Sequence, residues 1–268
     1  MSNTFDPQKA ITLIQSFLAD KLAASGLDGY VVGVSGGLDS ALSASLAVGA
    51  VGPGRVLGVI MPYRLSSPSS KNDALKLVGQ LGIEHREVDI TPMIDAYFAE
   101  IDASVKIRAG NKMARERMAV LFDIAHATNR LVLGTGNRTE ICLGYTTLYG
   151  DSACSLNPVG ELYKTEARIL ARRLNIPDSI IAKIPTADLW EGQTDEGEIG
   201  VPYVQIDAIL RRIVDDGETS LAVLTKEGFK RDQIERIVSL LNRNAFKRAL
   251  PPVASLGRRP VPDRIKLS

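Results

Sequence analysis

The sequence predicts an α/β fold: a doubly wound parallel sheet with a helical C-terminal part. Two observations carry the layout. Four apolar, β-type runs are separated by runs with helical periodicity, the pattern of parallel strands joined by right-handed crossovers. Two glycine-rich strings, "SGGLDS" and "GTGNRTE", stand where such strands would end. In open α/β sheets, ligands bind beyond the carboxyl ends of the strands.

The elements follow in order. Residues 6–24 read as an amphipathic helix, with Ile11, Ile14, Leu18 and Leu22 on one stripe. The strand-like runs are 30–34 "YVVGV", 55–61 "RVLGVIM", 84–90 "EHREVDI" and 130–134 "RLVLG". Helical runs are expected at 39–50, 69–81, 92–101, 111–128, 163–174, 202–214 and 230–243. Residues 185–200, "PTADLWEGQTDEGEIG", hold the single tryptophan and little periodicity. They read as a long surface loop, either a lid or a plain connection.

With 268 residues, 45% of them hydrophobic, the chain can bury one substantial core, and a single domain over 1–268 is expected. Its 32 Lys and Arg balance 31 Asp and Glu. A general nucleic-acid binder would show a basic surplus or stripe. No apolar run approaches the roughly 20 residues of a membrane span. The two cysteines, Cys142 and Cys154, form no CxxC and read as reduced thiols of a cytoplasmic protein. The two histidines, His85 and His126, have no metal-ligand spacing and read as structural.

In "GVSGGLDS" (Gly33, Val34, Ser35, Gly36, Gly37, Leu38, Asp39, Ser40), the paired glycines let backbone N–H groups approach a ligand. A helix starting near Asp39 points its positive end at the same spot, and Ser35 and Ser40 add hydroxyls. The string lacks the lysine of a Walker A loop and the glycine spacing of a Rossmann turn. An aspartate there would repel bare polyphosphate, but it would hold a divalent cation that bridges phosphates. The plain alternative is a glycine-rich turn with Asp39 as helix cap.

"SGGxDS" resembles the signature loop of the ATP pyrophosphatases, which cleave ATP between its α and β phosphates. Further strings occur in the order and spacing of the NAD synthetases: "NKMARERM" (111–118), "GTGNRTE" (134–140), "YGD" (149–151), "LYKTEARILARRLNIP" (162–177), "PTADLWEGQTDEGEIG" (185–200) and "FKR" (246–248). The resemblance is to the short, ammonia-dependent form without a glutaminase domain. It implies that residues 33–40, Thr135, Lys164 and Thr186 bind ATP. It implies Mg²⁺ as cofactor, held by Asp39 and Glu140. Arg115, Lys247 and Arg248 would reach deamido-NAD, Asp151 would stand near the incoming ammonia, and Asp151 and Lys164 would be catalytic. The substrates implied are ATP, deamido-NAD and ammonia.

Three positions depart from the common pattern of the family. Leu148 stands where many members have a substrate-binding lysine, Ser155 where many have a substrate-side aspartate, and Phe246 where many have histidine. All three fall on the dinucleotide side. A tRNA-thiolating relative and a non-catalytic nucleotide-binding protein are the competing readings. A homodimer is expected from the resemblance. It is also expected because the run 111–128 is apolar nearly all round: Met118, Leu121 and Ala125 suffice for the sheet, leaving Met113, Val120, Phe122 and Ile124 for other surfaces.

Overall fold

The computed structural model describes residues 5–99, 106–186, 192–254 and 256–257. Its four strands are β1 (Gly29–Gly33), β2 (Val56–Ile60), β3 (Glu84–Glu87) and β4 (Arg130–Val132). All pairings are parallel, in the order β3-β2-β1-β4. Tyr30 pairs with Val56, and Val31 with Val132. The chain runs outward from β1 to β3 and then returns to place β4 on the other side of β1. The order therefore reverses between β1 and β4, the place where such sheets take ligands.

Side chains alternate across the sheet, and the alternation makes two cores. Tyr30, Val32, Val56 and Ile60 face one layer. That layer is α1 (Pro7–Ser25), α2 (Leu38–Val51), α3 (Pro68–Leu81), α7 (Lys164–Arg173) and α8 (Asp178–Ile181). Val31, Leu57, Val59 and Val132 face the other, formed by α4 (Thr91–Phe98) and α5 (Lys106–Ala127). A third core joins α6 (Arg138–Leu143), α9 (Asp195–Ile199), α10 (Tyr203–Leu210), α11 (Leu221–Lys226) and α12 (Arg231–Arg243). It is the predicted helical C-terminal part. β3 is an edge strand with all four residues exposed.

The expected elements are present with shifted ends. Ile11, Leu18 and Leu22 are buried, and Ile14 packs against the same core half-exposed. α1 is capped by Asp6, which accepts from the amides of Gln8 and Lys9 at 2.9 and 3.1 Å, and it ends at Gly26, φ +70°. The tail of the run 92–101 lies outside the described residues. α5 begins five residues earlier than its periodicity announces. The run 202–214 changes geometry midway, from α10 into a π turn over Arg211–Asp215. Two expectations need correction. The stretch 185–200 is not all loop: Thr194 accepts from the Gly197 amide and caps α9, which buries Asp195 and Ile199. The helix at 111–128 is less apolar all round than it reads. Met113 and Ile124 are buried in the chain's own second core and Val120 packs against it, leaving Phe122 exposed.

Candidate active site

A cleft of about 730 Å³ opens beyond the carboxyl ends of β1, β2 and β4. Its wall includes Gly33 to Ser35, Gly37 to Ser40, Thr135, Glu140, Lys164 and Thr186. Ser35 to Ser40 make the floor. The Ser35 and Ser40 hydroxyls lie 3.0 Å apart, the Gly37 amide donates to Ser35 Oγ at 3.2 Å, and Ser40 Oγ donates to the Gly37 carbonyl at 3.0 Å. The loop is thus braced from within. Gly36 has φ +76°, and a Cβ there would sit 2.1 Å from the Ser70 carbonyl oxygen, so no other residue fits. Lys183 clamps the outside of the turn, with Nζ 3.3 Å from the Gly36 carbonyl, 3.2 Å from Ser70 Oγ and 2.9 Å from Asp73 Oδ2.

Three charges from three elements meet above this floor. Asp39 lies in the first turn of α2, Glu140 in α6 and Lys164 at the start of α7. Lys164 Nζ is 2.5 Å from Asp39 Oδ2 and 3.3 Å from Glu140 Oε1. The lysine side chain is only 5% exposed. Burial alone would depress its pKa, but the neighbouring Asp39 and Glu140 charges outweigh that and raise it, so the ammonium stays charged. Burial pushes the Glu140 carboxyl up, with the Asp39 and Asp195 charges adding to the rise and Lys164 opposing it. Glu140 is oriented by a capping box: its Oε2 accepts from the Asn137 amide, and Asn137 Oδ1 accepts from the Glu140 amide.

Asp39 Oδ1 is buried and has no hydrogen-bond partner. An orphaned carboxylate oxygen is costly unless something absent from the polypeptide satisfies it. A hard divalent cation fits that need. Mg²⁺ is commonly held by one or two carboxylates with phosphate oxygens completing the octahedron, and Asp39 and Glu140 offer two carboxyl groups in the cleft wall.

The other side of the cleft is built differently. Asp151 lines it, and its carboxylate accepts from Thr146 Oγ1 and the Thr147 amide, both at 2.7 Å. Lys247 lines it too, with Nζ donating to the carbonyls of Gly144 and Thr146 at 2.8 and 2.7 Å. Burial lowers the Lys247 pKa. Arg248 is turned away, onto the carbonyls of Cys142 and Leu241. Arg115 is exposed, and its Nε reaches the Leu148 carbonyl at 3.2 Å. Ser155 staples a loop to β4, its Oγ accepting from the Val132 amide at 3.1 Å. Arg115, Leu148 and Ser155 stand outside the cleft lining, whereas the ATP-side residues converge.

Several residues of the site escape sequence reasoning. Asp195 sits beside the charged cluster, where it accepts from the Tyr203 and Tyr145 hydroxyls at 3.1 and 3.3 Å. The Tyr203 ring lies 5.2 Å from Lys164 Nζ. Asp207 is 1% exposed and anchors Thr139. One signal was available for Asp207, an acid inside the apolar run "YVQIDAIL".

A family model described as NAD synthase matches residues 10–251. The chain is 47% identical to the NH(3)-dependent NAD(+) synthetase of Fusobacterium nucleatum, over 90% of this chain and 93% of that one. Among solved structures, NMN synthetase from Francisella tularensis superposes with TM-score 0.84 at 35% identity, covering 94% of this chain and all of that one. The NH3-dependent NAD synthetase from Campylobacter jejuni, in complex with nitrate, gives 0.80 at 32% identity over 94% of this chain and 100% of its own. With the cleft at the β1/β4 switch point and the braced Ser35–Ser40 loop, these matches place the chain in the NAD synthase family.

Proposed function

We propose that the protein is a C–N bond-forming ligase that amidates deamido-NAD with ammonia at the expense of ATP, giving NAD, AMP and pyrophosphate. The observation that carries this reading is the meeting of Asp39, Glu140 and Lys164 over the Ser35–Ser40 loop at the N-terminus of α2. Among the described residues, no cluster of three or more His, Cys, Asp or Glu could hold a metal alone.

In this reading the nicotinate carboxylate attacks the α-phosphorus of ATP, and pyrophosphate leaves toward Ser35–Ser40. Lys164 holds positive charge against the phosphates. The first-turn N–H groups of α2, from Leu38 on, face the departing pyrophosphate. Mg²⁺, when bound by Asp39 and Glu140, supplies charge neutralisation across the phosphates. Ammonia then attacks the acyl carbon of the adenylate beside Asp151, and AMP leaves. No side-chain nucleophile is required, so catalysis is positioning and electrostatics. The lid reading of 185–200 falls partly on residues 187–191, outside the described residues.

A pyrophosphate-release assay with deamido-NAD, ATP and ammonium, with and without Mg²⁺, tests the proposal. Metal-dependent formation of NAD and AMP is expected. A second reading, amidation of the mononucleotide, is favoured by the similarity to an NMN synthetase. Running nicotinate mononucleotide beside deamido-NAD separates the two by kcat/KM.

The further expectations concern assembly and location. Met93, Tyr97, Ile107 and Phe122 of α4 and α5 are large and apolar yet at least 40% exposed, which supports a two-fold interface there. Sedimentation at assay concentration tests it, and a fully active monomer overturns it. None of the described helices is long and apolar enough to cross a membrane. The free thiols of Cys142 and Cys154 suit a reducing cytoplasm.

A further inference from the structure

Asp39, Glu140 and Lys164 come from elements far apart in sequence, and α6 has only six residues. Such a short helix does not hold a carboxylate in place alone. α10 supplies the frame. Tyr203, Asp207 and the following Arg211 recur every four residues, so they share one face. All three reach the first turn of α7, and Asp207 reaches α6 as well. The Tyr203 ring lies by the Lys164 ammonium. Arg211 Nη2 meets Glu166 Oε1 at 2.9 Å. Between them, Asp207 accepts from Thr139 Oγ1 at 2.6 Å and from the Thr165 amide at 2.8 Å. Thr139 Oγ1 in turn accepts from the Lys164 amide at 3.0 Å. Thr139 immediately precedes Glu140, and Thr165 immediately follows Lys164.

We propose that Asp207, acting through Thr139, is a positioning residue: it ties the backbone beside Glu140 to the backbone beside Lys164 and so sets the spacing between the cation-binding carboxylate and the phosphate-side ammonium. The inference rests on the ligase reading above. Asp207 touches neither substrate nor cation. A fully buried carboxylate is an expensive way to fill a core, and apolar replacement of buried charge is often neutral or stabilising. The two bonds of Asp207 go to the residues flanking Glu140 and Lys164, which is where a positioning group is useful and a mere core residue is not required.

The test compares Thr139→Val, Thr139→Ser and Asp207→Asn with the natural chain. Three readouts are taken: steady-state amidation, Mn²⁺ binding by electron paramagnetic resonance with ATP present and no deamido-NAD, and thermal midpoint. Loss of an outer-shell partner typically costs about 10–100-fold in metal affinity or activity. Thr139→Val and Asp207→Asn should lower kcat and weaken Mn²⁺ binding in that range, with the KM for ATP within about twofold. Thr139→Ser, which restores the hydroxyl, should recover both. A lower thermal midpoint with unchanged kcat and Mn²⁺ binding would overturn the proposal, as would Thr139→Ser failing alongside Thr139→Val. Should Asp207→Asn not fold, the Val and Ser pair decides the matter. If the natural chain does not amidate deamido-NAD, the ligase reading fails, while Mn²⁺ binding still reports on the positioning claim.

Discussion

The two sides of the cleft are made by different means. On the ATP side, charges are buried and satisfied by one another: Lys164, 5% exposed, sits between Asp39 and Glu140. On the opposite side, Asp151 and Lys247 are more exposed and are satisfied by main-chain atoms and a threonine hydroxyl. A buried ion cluster fixes geometry because each member is costly without the others. A loop pinned by backbone bonds fixes its own shape and leaves its charged groups free to be retuned.

The largest expected effect breaks the buried side. Lys164→Met would leave two carboxylates facing each other without compensation. Removing one member of a buried pair costs about 3–5 kcal/mol, so a fall in the urea midpoint should accompany loss of activity. Asp39→Asn should act more cleanly. The amide oxygen still accepts from Lys164, and the fold should persist, but an NH₂ group that cannot ligate a cation replaces the orphan oxygen. A drop in kcat of at least about a hundredfold is expected. Near-normal turnover at saturating Mg²⁺ would remove Asp39 from the metal site. Glu140→Gln keeps the capping-box acceptor but loses the charge and the second oxygen that accepts from Lys164. If both acids serve one cation, the double variant should lose much less than the product of the single losses.

How much of this was legible beforehand follows from what each residue contacts. β1, β2, β4 and the cleft at their carboxyl ends could be read because apolar runs and glycine strings are local signals, whereas β3, "EHRE", is a polar edge strand that its place between two helical runs gives away. α6, α8, α9 and α11 were missed because each is six residues or shorter. Helices that short carry less than two turns of periodicity and depend on caps and packing. Asp39, Thr135, Glu140, Lys164 and Thr186 were singled out through the family motifs, and all five line the cleft. Asp195, Lys183 and Asp207 were not. Their partners lie 50, 147 and 68 positions away in sequence, at Tyr145, Gly36 and Thr139. Long-range pairs of that kind leave no periodic trace.

The opposite side should yield smaller effects. Lys247→Met removes two hydrogen bonds to the carbonyls that shape residues 144–147. It should raise the KM for deamido-NAD several-fold with little change in the KM for ATP. Equal changes in both would erase the distinction between the two sides. Ser155→Ala sharpens it further. The lost bond to the Val132 amide should cost about 1 kcal/mol of stability and leave kcat/KM unchanged. A selective rise in the KM for deamido-NAD would instead put Ser155 in contact with substrate.

The smallest effect concerns acid. If the ATP side is held by paired charges, it should weaken as carboxylates protonate, and Asp73 offers a measurable case. Partial burial pushes its carboxyl up, but hydrogen bonds from Lys183 and Ser179 outweigh that and hold it below the ordinary range. A carboxyl with a depressed folded-state pKa contributes stability that is present above its unfolded value, and the contribution fades as pH falls through the folded value. Asp73→Asn should therefore lower the thermal midpoint at neutral pH. The gap from the natural chain should narrow once pH drops below about 4, the usual range for an unfolded aspartate. The gap itself should be modest, because partly exposed ion pairs contribute about 1 kcal/mol or less. It should nevertheless be visible in function, since Lys183 also holds the Gly36 carbonyl. Loosening that turn should raise the KM for ATP while sparing the KM for deamido-NAD. Thermal scans from pH 3 to 7 on both proteins, with KM values at pH 7, check each point. A gap that widens on acidification, or a KM shift confined to deamido-NAD, would place Asp73 and Lys183 outside the frame of the phosphate loop.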